Sequence, residues 1–203
     1  MLGVGETLPE QRECLSVSKR NIDRLSRLIN DVLDYQKLET GGLPLRIQSS
    51  DLNNLVREAR KSFSREAQAA GFELELLLDE NLEALECDSD YILQVLANLI
   101  HNAIKFTSGG TIRLITEQLA STARVSVQDE GEGIAPEDLS QLFKPFSQVS
   151  RDDGKIHKGT GLGLAICRLL IEKHGGSIDV RSSVGTGTSF FFTLPSKVVN
   201  VIV

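Results

Sequence analysis

Gln94-Val95-Leu96-Ala97-Asn98-Leu99-Ile100-His101-Asn102-Ala103-Ile104-Lys105-Phe106-Thr107 is the segment that decides the fold of this chain of 203 residues. Its apolar residues recur at helical spacing, and Asn98, Asn102 and Lys105 fall at i, i+4 and i+7 on one side of the helix. Amide oxygens can ligate a hard metal ion without adding negative charge, and an ammonium group offsets phosphate charge. The segment therefore indicates a core helix with a nucleotide-binding edge, although taken alone it is more often a solvated helix face.

A second motif, Asp129-Glu130-Gly131-Glu132-Gly133-Ile134, follows an alternating segment that predicts a strand over 123–128. Asp129 is therefore expected at a strand end. A carboxylate there can accept hydrogen bonds from an exocyclic amine, and glycines, which lack Cβ, let the backbone approach a flat ring. Taken alone, the motif equally describes a tight turn with solvated acids.

Two more motifs follow along the chain. Leu142-Phe143-Lys144-Pro145-Phe146 places two aromatic residues around a proline, which is more often a packing plug than a site. Gly159-Thr160-Gly161-Leu162-Gly163 opens a helical segment whose first N–H groups can receive phosphate oxygens. These glycines form neither a P-loop, because Thr160 stands where lysine is required, nor a dinucleotide fingerprint, because Leu164 replaces its third glycine.

In order and spacing, the four motifs resemble the asparagine, first glycine, phenylalanine and second glycine boxes of the catalytic ATP-binding domain of sensor histidine kinases. This domain belongs with gyrase-type ATPases to the Bergerat-fold superfamily. The segment 185–195 resembles its last strand, so that the likeness covers residues 15–195. The resemblance implies a two-layer α/β sandwich, ATP and Mg²⁺ as cofactors, and a role in two-component signal transduction and phosphorelay.

The resemblance also implies a role for each matching residue. Asn102 would be the Mg²⁺ ligand, Asn98 would support the metal and phosphates, and Lys105 would contact phosphate; these three form the expected catalytic set. Phe106 would lie against the nucleotide, and Asp129 would bind the adenine amino group directly and through water. The other expected nucleotide-binding residues are Gly131, Gly133, Ile134, Lys158, Gly159, Thr160, Gly161, Leu162, Gly163 and Thr188.

Asn98 separates a kinase from a hydrolase within this superfamily. Gyrase-like ATPases carry a glutamate at that position, one helical turn before the metal asparagine, and it acts as the base that activates water. An amide cannot accept the proton. The site is therefore expected to protect ATP from water and to offer its γ-phosphate to another nucleophile.

The first forty residues show a different pattern. A stripe at 3-4 spacing, apolar except for Gln36 at its end, predicts a bundle helix that ends at Gly41-Gly42. It comprises Leu15, Ile22, Leu25, Ile29, Val32 and Gln36, widened by Leu28, Leu33 and Tyr35. The resemblance implies that this is the second helix of a dimerisation and phosphotransfer hairpin; a helix that packs only on its own domain is the alternative. The expected division is 1–42 for this helix, 43–197 for the catalytic domain and 198–203 for a tail or linker.

The chain lacks the motif of the family's phosphoacceptor, a histidine followed by an acidic residue in a sequence resembling His-Glu-Leu-Arg-Thr-Pro. His101 lies in the asparagine box, His157 in the polar segment 147–158, expected to be a mobile ATP lid, and His174 at an expected helix C-terminus, as a dipole partner. The chain is therefore expected to be a fragment that does not phosphorylate itself. Its expected partners are the hairpin of the same kinase, a second copy in a homodimer and a response regulator.

Composition excludes several classes of protein. The net charge of −6, without a basic stripe, argues against nucleic-acid binding. Three scattered cysteines suggest neither a metal site nor a disulfide framework and suit a reducing cytoplasm. No apolar run approaches the roughly 20 residues of a membrane span. A cytoplasmic location without membrane contact is expected, while a longer parent protein could still carry an anchor.

Periodicity and cap residues place the remaining elements. Strands are predicted at 43–47, 72–78, 82–86, 111–119, 123–129, 177–182 and 189–194, and helices at 52–70, 136–143 and 162–173. The expected N-caps are Ser50 or Asp51 and Asp88. Helices with an antiparallel-rich mixed sheet make a two-layer α/β sandwich, preceded here by a bundle helix.

Three functional classes remain open. The leading one is the ATP-binding part of a protein-histidine kinase, which transfers γ-phosphate to a histidine on a hairpin absent from this chain. The second is a non-catalytic ATP-binding or scaffolding module, which the missing acceptor would allow. The third is a gyrase-like ATPase, disfavoured by Asn98, or a serine kinase of the anti-sigma type, disfavoured by the bundle helix.

Overall fold

A computed structural model of the chain describes residues 9–147 and 160–196. The helices are α1 (Pro9–Glu39), α2 (Leu52–Ala69), α3 (Ser89–Phe106), α4 (Pro136–Leu139) and α5 (Gly163–Lys173). The strands are β1 (Gln48–Ser50), β2 (Phe72–Leu77), β3 (Leu85–Cys87), β4 (Gly110–Gln118), β5 (Thr122–Asp129), β6 (Ser177–Ser183) and β7 (Gly187–Pro195).

Five strands form one sheet in the order β2-β4-β5-β7-β6. β2 runs parallel to β4, and the other neighbours are antiparallel. Buried and more exposed side chains alternate along β4 and β7, and α2, α3 and α5 pack against the sheet. β1 and β3 form a separate antiparallel ribbon. The structure thus confirms the predicted two-layer α/β sandwich with a mixed sheet.

Helix α3 supplies the centre of the core. Its fully buried side chains are Ile92, Val95, Leu96, Leu99 and Ile100. Burying a side chain of this size contributes about 1.5–3 kcal/mol, so packing fixes the rotation of the helix about its axis. That rotation leaves Asn98, Asn102 and Lys105 half-buried along one edge.

The start of α3 is joined to the end of α5. Asp88 is the N-cap of α3, as predicted: Oδ1 accepts from the Tyr91 N–H at 3.4 Å, and Oδ2 accepts from the Arg46 N–H at 2.7 Å. The Asp88 N–H donates to His174 Nε2 at 3.1 Å, while His174 Nδ1 lies 2.7 Å from the Leu170 carbonyl oxygen. This last contact confirms that His174 interacts with the C-terminal carbonyls of a helix.

Most of the apolar stripe of α1 is exposed. Leu15, Ile22 and Leu25 keep 61%, 63% and 57% of their surface, whereas Leu38, near the C-terminal end, is buried, and α1 contacts α5. Gly41 has φ +72°, which confirms that the helix ends there. None of the helices in the described part of the chain is long and apolar enough to cross a bilayer.

Three predicted elements are wrong in position or length. The strand expected at 82–86 forms only at Leu85–Cys87, because its pairing with β1 extends over these three residues. The strand expected at 43–47 is absent, because Pro44 has no N–H for a ladder and the three-residue β3 pairs instead with β1. The helix expected over 136–143 ends at Leu139, and i→i−3 hydrogen bonds continue as turns up to Pro145, which cannot extend a helix. The expected tail at 198–203 and nearly all of the expected lid lie outside the described residues.

Candidate functional site

The polar edge of α3 faces the start of α5. A Cβ built on Gly163, the first residue of α5, would lie 3.7 Å from Asn98 Oδ1, an ordinary van der Waals distance, so the start of α5 lies directly beside Asn98. Leu162 occupies the N-cap position and provides no side-chain cap to the helix. The first N–H groups of α5 are therefore available to an anion placed next to Asn98.

Lys105 lies three residues beyond Asn102 on the same edge. Burial lowers the pKa of its ammonium group, and Nζ sits 4.4 Å from the centre of the Phe106 ring. No carboxylate among the described residues forms an ion pair with it. A partly desolvated cation without an anionic partner is well suited to bind a polyphosphate, because the interaction is weakly screened.

Asp129 ends β5 and is only 7% exposed. Its Oδ1 accepts the Gly131 N–H at 2.8 Å, which fixes the orientation of the carboxylate. Within the described part of the chain, Oδ2 has no hydrogen-bond partner, so it can accept from a ligand. β5 pairs with β7 so that Thr188 stands opposite Asp129 and joins the same cluster.

The two glycines of the first glycine box are required for different reasons. A Cβ on Gly131 would lie 2.6 Å from Thr107 Oγ1 and 2.8 Å from Asp129 Oδ1, so this glycine permits a close approach within the polar cluster. Gly133 has φ +73°, and its Cβ would lie 2.0 Å from the Ser183 carbonyl oxygen. Packing against the turn between β6 and β7 is therefore sufficient to explain Gly133 without any ligand.

Ser182 holds this loop in place, a role that the sequence did not reveal. Its hydroxyl donates to the Gly187 carbonyl at 2.8 Å and accepts the Ile134 N–H at 2.8 Å. The Thr188 hydroxyl lies 2.9 Å away and, since the serine proton is already donated, acts as donor to Ser182. Ile134 and Thr188 are thus connected through one serine.

The second glycine box packs against the phenylalanine box. Gly161 has φ +71°, and a Cβ there would lie 2.7 Å from the Phe146 carbonyl carbon. Thr160 Oγ1 accepts the Leu162 N–H at 3.0 Å, and Leu162 is fully buried. Lys158 and Gly159, also expected at the site, lie outside the described residues.

Only one of the two phenylalanines acts as a packing plug. Phe143 packs edge-on against Phe190, with ring centres 6.3 Å apart and an angle of 84°. Phe146 has φ +61°, which is uncommon for a residue with a side chain, and remains 65% exposed. It lies next to the second glycine box rather than in the core.

The structure brings the expected residues together in two clusters. The first joins the Asn98 edge of α3 to the start of α5. The second joins the end of α3 to Asp129, Gly131 and Thr188, with Lys105 on the helix turn between the two clusters. Sequence reasoning missed Thr107 and Ser182. Thr107 directly follows the asparagine box, and this adjacency was the only signal available.

Comparisons with known proteins agree with this fold. The family model for "Histidine kinase-, DNA gyrase B-, and HSP90-like ATPase" matches residues 87–198, and that for the "His Kinase A (phospho-acceptor) domain" matches residues 1–41. The non-motile and phage-resistance protein of Caulobacter vibrioides is 41% identical over 85% of this chain and 21% of its own length.

Two solved structures have the same architecture. Full-length ShkA in complex with AMPPNP has a TM-score of 0.83 and 30% identity, covering 94% of this chain and 40% of that one. Histidine kinase ThkA in complex with the response regulator protein TrrA has a TM-score of 0.74 and 29% identity, covering 94% and 53%. The chain spans less than two thirds of the length of each of these proteins. It belongs to the family of histidine kinase-, DNA gyrase B- and HSP90-like ATPases.

Proposed function

We propose that this chain is the ATP-binding part of a two-component protein-histidine kinase and transfers the γ-phosphate of ATP to a histidine on a dimerisation hairpin. The observation that carries the proposal is Asn98, which faces the start of α5 in the place where gyrase-like ATPases have a catalytic glutamate. Its amide cannot take a proton from water. The neighbouring thiol cannot replace it, because burial raises the pKa of Cys167 to about 12.

The residues present fit an adenine nucleotide. Asp129 Oδ2 accepts from the amino group of the base, next to Phe106 and Ile134, and Lys105 neutralises phosphate charge. The first N–H groups of α5 would donate to phosphate oxygens. The residues expected to line this part of the site are Lys158, Gly159, Thr160, Gly161, Leu162 and Gly163, of which the structure describes the last four. Thr107 Oγ1, a buried polar atom without a partner, supports a ligand at this place.

Magnesium is part of the proposal. The Asn102 side chain offers an amide oxygen, the type of ligand that Mg²⁺ accepts alongside phosphate oxygens and water. When bound, the ion would neutralise charge on the transferring phosphate. Asn98 would support the phosphates from the preceding turn of α3.

The partners follow from α1. Residues 1–42 contain no histidine, so the phosphoacceptor must be supplied by another segment. The exposed stripe of α1, represented by Leu15, Ile22 and Leu25, is suited to pack in a helical bundle with the other hairpin helix and with a second copy of the chain. We propose residues 43–197 as the catalytic domain, a response regulator as the receiver of the phosphoryl group, and the cytoplasm as the location.

The test uses γ-labelled ATP. Wild type is incubated with and without a separately supplied hairpin that carries the acceptor histidine, next to Asn102→Ala and a control, Asn54→Ala, which changes an exposed asparagine on α2. We expect acid-labile label on the hairpin with wild type and Asn54→Ala, little with Asn102→Ala, and none on the chain alone. Steady phosphate release by wild type alone would support an ATPase instead, and ATP binding with neither release nor transfer would support a scaffold.

A further inference from the structure

We propose that Thr107 is a specificity residue for the base: on nucleotide binding, its hydroxyl donates a hydrogen bond to the Asp129 carboxylate and holds it for recognition of a 6-amino purine. The inference rests on the proposed nucleotide site and adds a residue to it. Thr107 would act through Asp129 and is therefore a positioning residue.

The first observation is an unpaired polar atom. Thr107 Oγ1 is buried and has no hydrogen-bond partner; the other two such side-chain atoms among the described residues, Gln118 Oε1 and Arg124 Nε, lie on β4 and β5. Buried hydroxyls are nearly always paired, because an unmet hydrogen bond costs stability. A state of the protein in which this hydroxyl has a partner is therefore expected.

The second observation is the position of the hydroxyl. Thr107 Oγ1, Asp129 Oδ1 and the Phe106 carbonyl oxygen lie 2.6, 2.8 and 3.4 Å from the point where a Cβ on Gly131 would stand. Three oxygens converge there, and only the threonine carries a proton to donate. Because residue 131 is glycine, no side chain separates the hydroxyl from the carboxylate.

The third observation concerns mobility of the contact. Thr107 is the C-cap residue of α3, with extended φ and ψ of −116° and 154°, so its side chain is not confined by a helical turn. Asp129 Oδ1 already accepts from Gly131 and has a second lone pair for Thr107. A small closure around the base would bring the two oxygens into hydrogen-bond range and leave Oδ2 directed at the amino group.

This arrangement predicts selectivity as well as affinity. An ionised carboxylate has acceptors and no donor, and two protein donors on Oδ1, the Gly131 N–H and the Thr107 hydroxyl, would fix its orientation so that Oδ2 faces the base. It favours the amino group of adenine over the oxo group of hypoxanthine, whose oxygen would face a carboxylate oxygen. Removing the Thr107 hydroxyl should therefore reduce ADP affinity and leave the weaker IDP affinity nearly unchanged.

The test compares Thr107→Val, which keeps the shape of the side chain, with Thr107→Ser, which restores a hydroxyl. We measure ADP and IDP affinity by competition and the melting temperature of the nucleotide-free protein. For Thr107→Val we expect an ADP affinity lower by about five- to tenfold, an unchanged IDP affinity, and a melting temperature equal to or above that of wild type. Thr107→Ser should recover most of the ADP affinity.

Each other outcome overturns the proposal. A lower melting temperature with unchanged ADP affinity would show that the hydroxyl has a structural partner in the empty protein. Equal losses for ADP and IDP would show that Thr107 shapes the loop and does not influence base selection, and no change in any quantity would show an idle hydroxyl. If wild type itself failed to bind ADP, the proposed function would fail, which is a separate result.

Discussion

Replacing Lys105 by methionine should weaken ATP binding while slightly stabilising the nucleotide-free protein. The side chain is half-buried, burial lowers the pKa of its ammonium group, and Nζ lies 4.4 Å from the centre of the Phe106 ring. Methionine keeps the length of the stem and removes the charge. The nucleotide-free protein should therefore become slightly more stable, because a desolvated charge without an anionic partner is removed.

The same substitution should weaken nucleotide binding. A charge-assisted hydrogen bond to phosphate is worth about 1.5–3 kcal/mol, which corresponds to a loss of roughly 10- to 150-fold in ATP affinity. Adenosine, which has no phosphate, should bind as it does to wild type. Calorimetry with ATP and adenosine, together with thermal unfolding of the empty proteins, measures all three quantities.

The pH dependence of stability gives an independent check that the Lys105 charge destabilises the nucleotide-free protein. Because the folded-state pKa of Lys105 is lowered, the unfolded chain holds the proton more tightly as pH approaches the ordinary lysine range. Wild type should gain stability relative to Lys105→Met as pH rises through the folded pKa toward 10.5. A wild type that is more stable than the variant at pH 7, with unchanged ATP affinity, would refute the reasoning, since Lys105 would then have a structural partner.

Two further substitutions test individual contacts. Asp129→Asn should keep the acceptor for the Gly131 N–H and therefore nearly the wild-type melting temperature. Its amide places a donor toward the base, so ADP affinity should fall by roughly 5- to 150-fold, equivalent to about 1–3 kcal/mol. Unchanged ADP affinity by calorimetry would remove Asp129 from adenine recognition. Gly133→Ala should lower the melting temperature more than Gly185→Ala. Both glycines have positive φ, 73° and 82°, but only at Gly133 would the added Cβ lie 2.0 Å from a carbonyl oxygen. Equal losses of melting temperature would show that the strain of a positive φ alone matters.

Local sequence patterns were sufficient to predict an element that is stabilised by its own residues. The apolar period of α3 and its Asp88 cap predicted both the helix and the edge that carries Asn98, Asn102 and Lys105. The strand predicted at 43–47 is found instead at Gln48–Ser50, because these three residues pair with Leu85–Cys87, which lie about 40 residues further along the chain. The choice of strand position there is made by pairing across the chain.

The candidate site shows the same division. Motif spacing predicted Asp129 and Gly131, because their chemistry is visible in the residue types. It could not predict Thr107, whose significance depends on the absence of a Cβ at Gly131, 24 positions later, and on a hydroxyl that the fold leaves unpaired. The role of Ser182 could not be predicted either, because its hydroxyl meets Thr188 only through the pairing of β6 with β7 and accepts the Ile134 N–H only in the folded loop.

Both helices that carry the proposed nucleotide site are hydrogen-bonded at the ends remote from it. Asp88, at the start of α3, receives hydrogen bonds from Tyr91 and from Arg46 in the segment after α1, and it donates its own N–H to His174 at the end of α5. The opposite ends of the same helices carry Lys105 and Gly163. This junction joins two helices that also pack directly against each other, and together the two contacts hold the start of α5 beside Asn98. The buried Asp88 carboxylate also accepts the Arg46 N–H at 2.7 Å, so the segment that follows α1 is fixed to the same junction, in addition to the direct contact between α1 and α5.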